Sequence, residues 1–429
     1  MPDPQSDPSR PLPPFESVPQ PPHEPRSLLK AAVLGLCIGV AAGCASNVGT
    51  LAPGVHASGH KHDGLNISRA LPAVSPTPIP AEQAACALGP AAALCGVIRG
   101  PNTPSKTPSG GFTAAQLRAA YDLPPATPSG VPSGPAIAIV VAFDSSSAEQ
   151  DLGTYRTQFG LPPCTTLNGC FQKVILPPTL GDLLPILTAP GSSSSSTWSD
   201  ERALDLAMAS AACPNCHLIL IESAGQDLDS LSAAVNAAAM YNPVAISNSW
   251  GVAEAGGNAP NIDSGAQAAF DHPGIAITAA AGDLGSGAVQ FPASSPYVTA
   301  VGGTSLAANA ASARGWTEMT WSGSGNGCSI LIAQPAWQTA NGSCAGARSV
   351  PDVSLLADPT VGAAVYNTAD NGWVVLGGTS IGAPFVAGLY AAAADYGGAT
   401  IGAPSLYENL PNLNTVPGTN GSPNGLVGF

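Results

Sequence analysis

The sequence of 429 residues has few charged side chains, and basic ones are the scarcer kind. Only 9% of its residues are Asp, Glu, Lys or Arg, against about 25% in an average soluble domain. Lys and Arg total 13 against 27 acidic residues, which gives a formal net charge of −14. Because phosphate binding needs a cluster of basic side chains, this composition argues against a nucleic-acid partner. The acidic balance fits a protein that works at low pH, where carboxylates lose charge and repel each other less.

An apolar run near the N-terminus, from Ala31 to about Gly43, is shorter than a transmembrane helix, which needs about 20 residues. It follows the basic residues Arg26 and Lys30, an order typical of a secretory signal. We therefore predict a signal peptide at residues 1–45 and a secreted or cell-envelope protein. The residues before Cys44 also resemble a lipobox, so a lipid anchor at Cys44 is an alternative to free secretion.

The cysteine pattern fits an oxidising compartment. Two of the ten cysteines lie in the leader, and the other eight form four couples of near neighbours. In an exported chain such an even set indicates disulfides, although sequence alone does not fix their connectivity. The predicted pairs are Cys86–Cys95, Cys164–Cys170, Cys213–Cys216 and Cys328–Cys344. The couple Cys213–Cys216 is also compatible with a redox or zinc site. The sequence offers no second pair of matching spacing, which favours a structural disulfide.

Two regions differ in composition. Residues 46–110 are rich in Pro, Gly and Ala and lack periodicity, which is typical of a tether or a short pro-segment. In residues 111–429, apolar strand-like runs alternate with helix-like segments. The predicted strands are Ile137–Phe143, His217–Glu222, Val244–Ser249, Ile275–Ala280 and Val298–Val301, and the predicted helices are Asp200–Ala212, Asp227–Tyr241 and Asp263–Phe270. This alternation predicts an α/β domain with a doubly wound, mainly parallel sheet and helices on both faces.

The segment Gly378-Thr379-Ser380 is a candidate for a serine nucleophile. It follows a strand-like run and precedes a long apolar helix, so Ser380 would lie at a helix N-terminus. Unpaired backbone N–H groups and the positive end of the helix dipole can bind an oxyanion there. An isolated serine at this position is more simply a helix cap. Pro384 and the long helix that follows favour the nucleophile.

A nucleophilic serine needs a base, which is usually histidine. Four of the six histidines lie in the leader or the tether. His217 opens a predicted strand and His272 lies in a turn, and we interpret both as structural. A neutral serine hydrolase that uses one of these two histidines is an alternative.

Two carboxylates are the other candidates for the base. Glu201 and Asp205 are four residues apart and so lie on one face of a helix. The rest of that helix is apolar, which draws Asp205 inward. Two close carboxylates titrate as a coupled pair, so Glu201 can serve as the base while Asp205 orients it. A carboxylate base works best near its own pKa, which predicts activity at acidic pH.

A third acid, Asp283, follows a predicted strand in the segment Gly282-Asp283-Leu284-Gly285. If it is protonated, it can donate a hydrogen bond to a developing oxyanion. The alternative is an aspartate that stabilises its own glycine-rich turn.

Together these motifs resemble the sedolisin family of serine-carboxyl peptidases, and they follow the family's order over about residues 112–410. The matching stretches are Glu201–Glu222, Ala245–Gly251, His272–Gly285, Phe291–Leu306, Pro351–Gly362 and Gly377–Gly388. The resemblance implies a subtilisin-like fold and an endopeptidase that acts on polypeptides. It also implies the site residues, which are the nucleophile Ser380, the base Glu201, its partner Asp205, the oxyanion donor Asp283, and Ser249, Trp250 and Gly251 along the substrate backbone.

The sequence departs from the family pattern in two places. The resemblance implies a long prodomain, but the stretch between the signal peptide and Phe112 is too short and too rich in proline to form one. It also implies a calcium site near the C-terminus, yet Asn414 stands where the first aspartate belongs and the second is missing. Because calcium prefers several charged oxygen ligands, we predict no metal and no other cofactor.

These departures favour a second function class, a catalytically silent family member that acts as a surface or binding protein. The intact residues Glu201, Asp205, Asp283 and Ser380 favour a peptidase instead. We expect the protein to be a monomer.

Overall fold

The computed structural model describes residues 93–416, except 125, 127–131, 179–194, 255–261, 263, 340–343 and 396–401. The predicted signal peptide, the alternative lipid anchor at Cys44 and most of the predicted tether lie outside the described residues. Within the described part of the chain, no helix has both the length and the apolar character needed to cross a membrane.

Sixteen short strands and seven α-helices are described. In chain order the strands are β1 (Leu94–Cys95), β2 (Ile98–Arg99), β3 (Ala136–Ala142), β4 (Phe171–Ile175), β5 (His217–Ser223), β6 (Ala245–Asn248), β7 (Trp250–Ala253), β8 (Ala276–Ala280), β9 (Gln290–Phe291), β10 (Val298–Ala308), β11 (Trp316–Thr320), β12 (Gly327–Ala333), β13 (Ala347–Val350), β14 (Val353–Leu356), β15 (Ala363–Asn367) and β16 (Gly372–Gly377). The helices are α1 (Ala114–Ala120), α2 (Ala148–Gln158), α3 (Ser195–Ala212), α4 (Leu228–Ala239), α5 (Ser264–Ala268), α6 (Gly382–Asp395) and α7 (Ala403–Glu408).

A parallel sheet flanked by helices forms the centre of the domain. Its strands lie in the order β4-β5-β3-β6-β8-β10-β14, all parallel, and β11 adds an antiparallel edge to β10. Residues 137–142 of β3 are all buried, as expected for a strand covered on both faces. The predicted α/β, subtilisin-like doubly wound fold is confirmed, and the five predicted core strands are present.

The predicted bounds of α4 and α5 differ from the structure by one or two residues at each end, and the predicted start of α3 differs by more. We expected α3 to begin at Asp200, but it is helical from Ser195. Trp198 explains the added turn, because its side chain is completely buried and contacts Phe143 edge to face. Burial of this large aromatic side chain offsets the weak helix propensity of the serine-rich turn that carries it.

The strand order reverses at β3, which lies between β5 and β6. In doubly wound sheets, ligands bind outside the carboxyl ends of the strands near such a reversal. Helices α3 and α6 pack against each other, and α6 also packs against β6 and β8. The loops that follow β6 and β8 therefore lie beside the start of α6, at the carboxyl ends of the parallel strands.

Residues 93–110 belong to the stretch predicted as a tether or short pro-segment. In the structure β1 pairs antiparallel with β7, and β2 pairs antiparallel with β16. This part of the stretch is thus joined to the domain by two sets of strand hydrogen bonds, which its composition did not predict. The domain boundary at residue 111 stays a prediction.

Three of the four predicted disulfides are formed, namely Cys164–Cys170, Cys213–Cys216 and Cys328–Cys344. Cys95 is also disulfide-bonded, but Cys86 lies outside the described residues, so that pairing stays a prediction. The Cys213–Cys216 bridge follows directly on the last residue of α3. In the described ranges, no three His, Cys, Asp or Glu side chains are grouped so as to hold a metal.

Candidate active site

Ser380 lies in a single 3-10 turn, Thr379–Ile381, between β16 and α6, and it is completely buried. The turn depends on Gly378, whose φ of 100° lies in the region that favours glycine. A Cβ at Gly378 would also lie 1.8 Å from the carbonyl oxygen of Gly96 and 2.5 Å from Asp283 Oδ2. The predicted strand, tight turn and helix around Ser380 are all present.

Glu201 and Asp205 lie on α3 with no exposed surface. Asp205 Oδ1 accepts a hydrogen bond of 2.6 Å from Ser249 Oγ. Helix α3 packs against the turn Thr379–Ile381, so the two buried carboxylates and Ser380 lie on contacting elements. Neither oxygen of the Glu201 carboxylate has a hydrogen-bond partner among the described residues, and the same holds for Asp205 Oδ2.

Burial raises the pKa of Glu201 well above its usual value, and the nearby charge of Asp205 raises it further. Burial raises the pKa of Asp205 as well, while the hydrogen bond from Ser249 opposes that rise. Both effects arise because a charged carboxylate loses its hydration inside the protein. The pair therefore keeps a proton at a pH where an exposed carboxyl group would be ionised.

Asp283 follows β8 and faces the same turn. Its Oδ1 accepts hydrogen bonds from the Thr379 amide at 2.8 Å and from Thr379 Oγ1 at 2.9 Å. Burial raises the pKa of Asp283 to about 7, and the two bonds from Thr379 oppose the rise. Its Oδ2 is buried and has no hydrogen-bond partner among the described residues. Below neutral pH this oxygen can therefore carry a proton and act as a donor.

The predicted substrate-binding residues lie next to Ser380. The Ser249 carbonyl oxygen accepts a hydrogen bond of 3.2 Å from the Gly96 amide and lies 3.5 Å from Ser380 Oγ. Trp250 and Gly251 belong to β7, whose backbone pairs with β1. The edge of β7 can thus pair with an extended strand, and in this structure residues 94–95 of the same protein are paired there.

Sequence reasoning missed two side chains that shape this site. Thr379 connects the loops, since its hydroxyl donates to Asp283 and accepts a hydrogen bond of 3.1 Å from the Gly282 amide. Gln290 lies so close to two glycines that a Cβ on Gly251 or Gly282 would come within 2.6 Å or 2.5 Å of its Oε1. The adjacency of Thr379 to the candidate nucleophile is a signal that could have found it, whereas Gln290 has no such local signal.

The two histidines considered as alternative bases lie at the opposite edge of the sheet. His217 is the first residue of β5, and its Nδ1 lies 3.0 Å from the Gly169 carbonyl oxygen. His272 precedes β8, and its Nε2 lies 3.1 Å from the Ala269 carbonyl oxygen. Amino ends of parallel strands meet at the edge away from Ser380, so this geometry gives no support to a histidine base.

The described part of the C-terminal segment does not fit a calcium ion. In residues 402–416 the acidic side chain is Glu408, and Asn414 stands at the position that the resemblance gives to the first aspartate of the calcium site. Amide oxygens without a charged partner make a weak ligand set for a hard cation. No step of the chemistry below involves a metal.

Three comparisons bear on this site. Kumamolisin from Bacillus sp. (strain MN-32) is 34% identical over 237 residues, which cover 49% of this chain and 42% of kumamolisin. Sedolisin from Pseudomonas sp. (strain 101) is 33% identical over 150 residues, which cover 31% of this chain and 25% of sedolisin. Over these stretches the chain is similar to serine-carboxyl peptidases of the sedolisin family. The chain thus matches less than half the length of either curated relative of the sedolisin family.

A comparison of folds covers more of the chain. A structure of Pseudomonas sedolisin complexed with two molecules of pseudo-iodotyrostatin superposes with a TM-score of 0.59 at 24% identity, covering 76% of this chain and 92% of that chain. This similarity shows that the two chains share a fold over most of the length of this one. No family model matches the sequence.

Proposed function

We propose that this protein is a member of the sedolisin family and an exported serine-type endopeptidase that hydrolyses polypeptides through Ser380, Glu201 and Asp205 and is most active at acidic pH. Homology to kumamolisin and sedolisin supports the peptidase class. The observation that carries the proposal is the packing of α3, which bears the buried Glu201 and Asp205, against the turn that bears the buried Ser380. A buried serine beside a carboxylate pair has the parts that covalent catalysis requires.

In this mechanism Ser380 Oγ attacks the carbonyl carbon of the substrate, and Glu201 takes the hydroxyl proton. Asp205, held by Ser249, orients Glu201 and shares its proton. The Ser380 amide and the protonated Asp283 donate hydrogen bonds to the oxyanion. Glu201 then protonates the departing amine, and a water molecule hydrolyses the acyl-enzyme. Each group is used in both halves of the reaction.

The pH dependence follows from two ionisations. Asp283 has to be protonated to donate a hydrogen bond, and burial raises its pKa to about 7, so activity falls as the pH rises through neutrality. The Glu201–Asp205 pair has to lose one proton to act as a base, so activity also falls when the pair is fully protonated. Because both conditions have to hold at once, activity plotted against pH should give a bell-shaped curve on the acidic side of neutrality.

The substrate we propose is an extended polypeptide. An added strand can pair with β7 through its backbone, which gives affinity without a demand for particular side chains. We also propose export through the signal peptide at residues 1–45, with Cys44 as an alternative lipid anchor, and a monomeric state without a nucleic-acid partner. The three disulfides are consistent with an oxidising compartment.

Hydrolysis of a denatured protein over a range of pH tests this function. Wild type and Ser380→Ala are compared, because the alanine variant removes one oxygen atom and keeps the backbone. Acid-dependent hydrolysis by wild type that is absent from Ser380→Ala supports the proposal. Equal and negligible rates in both would favour the catalytically silent family member.

A further inference from the structure

Arg202 directly follows Glu201 on α3, and we infer that it is a positioning residue for the candidate base, whose positive charge also favours the ionised form of the carboxylate pair Glu201–Asp205. This inference rests on the proposed peptidase function. It gives a role to the buried ion pair of Arg202 with Glu222, which the mechanism above does not use.

The Arg202 side chain joins α3 to two strands of the central sheet. Its Nη2 donates hydrogen bonds to the carbonyl oxygens of Ala142 and Phe143, at 3.2 Å and 2.5 Å, where β3 ends. Its Nε lies 2.8 Å from Oε1 of Glu222, near the end of β5, and both side chains are buried. Because β3 and β5 pair within the sheet, these contacts fix the turn of α3 that carries Glu201.

The backbone of Phe143 has a conformation that is uncommon for this residue type. Its φ of 63° lies in the left-handed region, which is unfavourable for a bulky side chain. Strain of this kind occurs mainly at functional sites, where the surrounding structure holds it in place. Here the Phe143 amide donates a hydrogen bond of 2.7 Å to the Ser223 carbonyl oxygen, and its ring contacts the buried Trp198. In this conformation the carbonyl groups of Ala142 and Phe143 both accept from Arg202.

Glu222 has a second cation beside it. Lys173 Nζ, on β4, lies 3.5 Å from Glu222 Oε2 and 2.6 Å from Asp144 Oδ1. The Ser145 amide donates a hydrogen bond of 3.2 Å to Glu222 Oε1. Two cations and two carboxylates thus alternate at the carboxyl ends of β3, β4 and β5. Loss of Arg202 alone would leave the buried Glu222 with the more distant Lys173 as its counter-charge.

The acids around the carboxylate pair act against ionisation. The charges of Asp205, Asp283 and Asp200 each raise the pKa of Glu201, in addition to the larger effect of burial. Arg202 acts in the opposite direction, since its charge lowers the pKa of Asp205. A positive charge near a carboxyl group favours the ionised form.

Charges farther from the pair have partners of their own. Asp200 pairs with Arg99 at 2.7 Å, and Arg99 also pairs with Asp370 at 2.7 Å. Asp151, on α2, lies near enough to Arg202 for its charge to raise the pKa of the guanidinium group. Arg99 is therefore matched by two acids, which leaves the carboxylate pair dependent on Arg202.

Glu222 decides how much of the Arg202 charge is neutralised. Burial raises the pKa of Glu222 to about 7, while the charges of Arg202 and Lys173 oppose the rise. As the pH falls below neutrality, Glu222 takes up a proton and stops neutralising Arg202. Asp205 lies three residues after Arg202 on α3 and so occupies a neighbouring position on the helix surface. The uncompensated cation then helps to keep the base ionised in acid.

The experiment compares the acidic limb of kcat/KM, the low-pH side of the activity curve, for hydrolysis of one peptide by full-chain variants. Glu222→Gln keeps the acceptor oxygen and removes the charge, as protonation does, so its acidic limb should match that of wild type. The double variant Arg202→Gln/Glu222→Gln removes both charges, so that folding does not leave Glu222 without its nearest partner. Its acidic limb is expected at a pH about one unit higher than that of Glu222→Gln.

Arg202→Lys separates position from charge. Lysine keeps the positive charge but lacks the planar group that contacts both carbonyl oxygens and Glu222. We expect this variant to keep the acidic limb and to lose a factor of about 10–10² in kcat. Arg314→Gln is the matched control, because Arg314 also pairs with a buried glutamate, Glu318, at 2.8 Å. It should change neither the limb nor kcat.

Titration of the carboxyl groups tests the effect of the charge without hydrolysis. Ser380→Ala backgrounds labelled with carbon-13 in their Asp and Glu carboxyl groups are titrated by NMR, and Asp205→Asn assigns the signals of the pair. The midpoint of the pair is expected to be about one pH unit higher in Arg202→Gln/Glu222→Gln than in Glu222→Gln.

The outcomes separate this inference from the proposed function. Equal NMR midpoints in the two samples overturn the role of the charge, whether or not the protein is a peptidase. A raised midpoint without hydrolysis by wild type overturns the peptidase function and leaves the effect of the charge standing. Unchanged kcat in Arg202→Lys overturns the positioning role. An acidic limb that moves as far in Arg202→Lys as in the double variant overturns the role of the charge.

Discussion

The hydroxyl of Ser249 donates a hydrogen bond of 2.6 Å to Oδ1 of Asp205, and both side chains are completely buried. This bond links the strand edge proposed to bind substrate with the carboxylate pair proposed as the base. It lowers the pKa of Asp205 against the larger effect of burial, which raises it. A change at Ser249 should therefore be visible in the pH dependence of activity.

We expect Ser249→Ala to shift the acidic limb of kcat/KM to higher pH by about one to two units, because a hydrogen bond to a charged group contributes about 1.5–3 kcal/mol. Without that bond the carboxylate pair holds its proton more tightly. Steady-state rates on one peptide substrate between about pH 3 and pH 7 measure the shift. Ser232→Ala is the control, since Ser232 Oγ is buried in α4 without a partner among the described residues. A Ser249→Ala profile that overlays the wild-type profile would contradict the role given to this bond.

Stability should be greatest in acid and should fall towards neutral pH. Burial raises the pKa of Asp283 from 3.8 to about 7, so in that interval the folded protein binds a proton that the unfolded chain has released. Stability decreases with pH wherever the folded state binds more protons, and this contribution is gone above the folded pKa. Glu201 and Asp205 act in the same direction because burial raises their pKa values too.

Asp283→Asn isolates the contribution of one of these acids. The amide oxygen of asparagine can still accept the two hydrogen bonds from Thr379, but the side chain no longer titrates. We expect the wild-type melting temperature to fall more steeply between about pH 4 and pH 7 than that of the variant. Thermal unfolding at a series of pH values, carried out on Ser380→Ala backgrounds to prevent proteolysis, gives both curves. Parallel curves would show that Asp283 titrates alike in the folded and unfolded chain.

Gly378→Ala should abolish activity and reduce stability. The φ of 100° at this position suits glycine, and an alanine there costs about 1–2 kcal/mol. Its Cβ would also lie 1.8 Å from the Gly96 carbonyl oxygen, so no carbonyl group, whether of Gly96 or of a substrate, could lie at this position beside the turn. Unfolding midpoints and hydrolysis rates measure the two effects.

Gly153→Ala is the matched glycine control. Gly153 lies within α2, and a Cβ there would meet nothing within 4 Å. This substitution should leave activity unchanged and stabilise the helix by up to about 1 kcal/mol. Full activity in Gly378→Ala would mean that the substrate carbonyl does not approach this turn.

Much of the central fold could be predicted from local sequence. The apolar run from Ile137 to Ala142 is buried throughout, so composition alone identifies β3 as a covered parallel strand. The spacing of Glu201 and Asp205 predicted that they share one face of a helix, and the apolar helix predicted that Asp205 lies inside; both side chains are completely buried. In each case one short stretch of chain carries the signal.

The segment around Gly96 could not be predicted in the same way. Its strands are two residues long, and their partners, β7 and β16, are more than 150 residues away in the sequence. Strands of two residues are too short to show an alternation of apolar and polar residues in the sequence. The proline and glycine nearby favour an interpretation as a tether. Only the folded chain brings the Gly96 carbonyl oxygen to the Ser380 amide.

A carboxylate base for Ser380 is the central element of the proposed mechanism. The decisive measurement is kcat/KM on one peptide substrate at about pH 4 for wild type, Glu201→Gln, His217→Ala and His272→Ala, all prepared in the same way. We predict that Glu201→Gln loses a factor of about 10²–10⁴, while both histidine variants keep the wild-type value. Retained activity in Glu201→Gln together with its loss in one histidine variant would contradict the account.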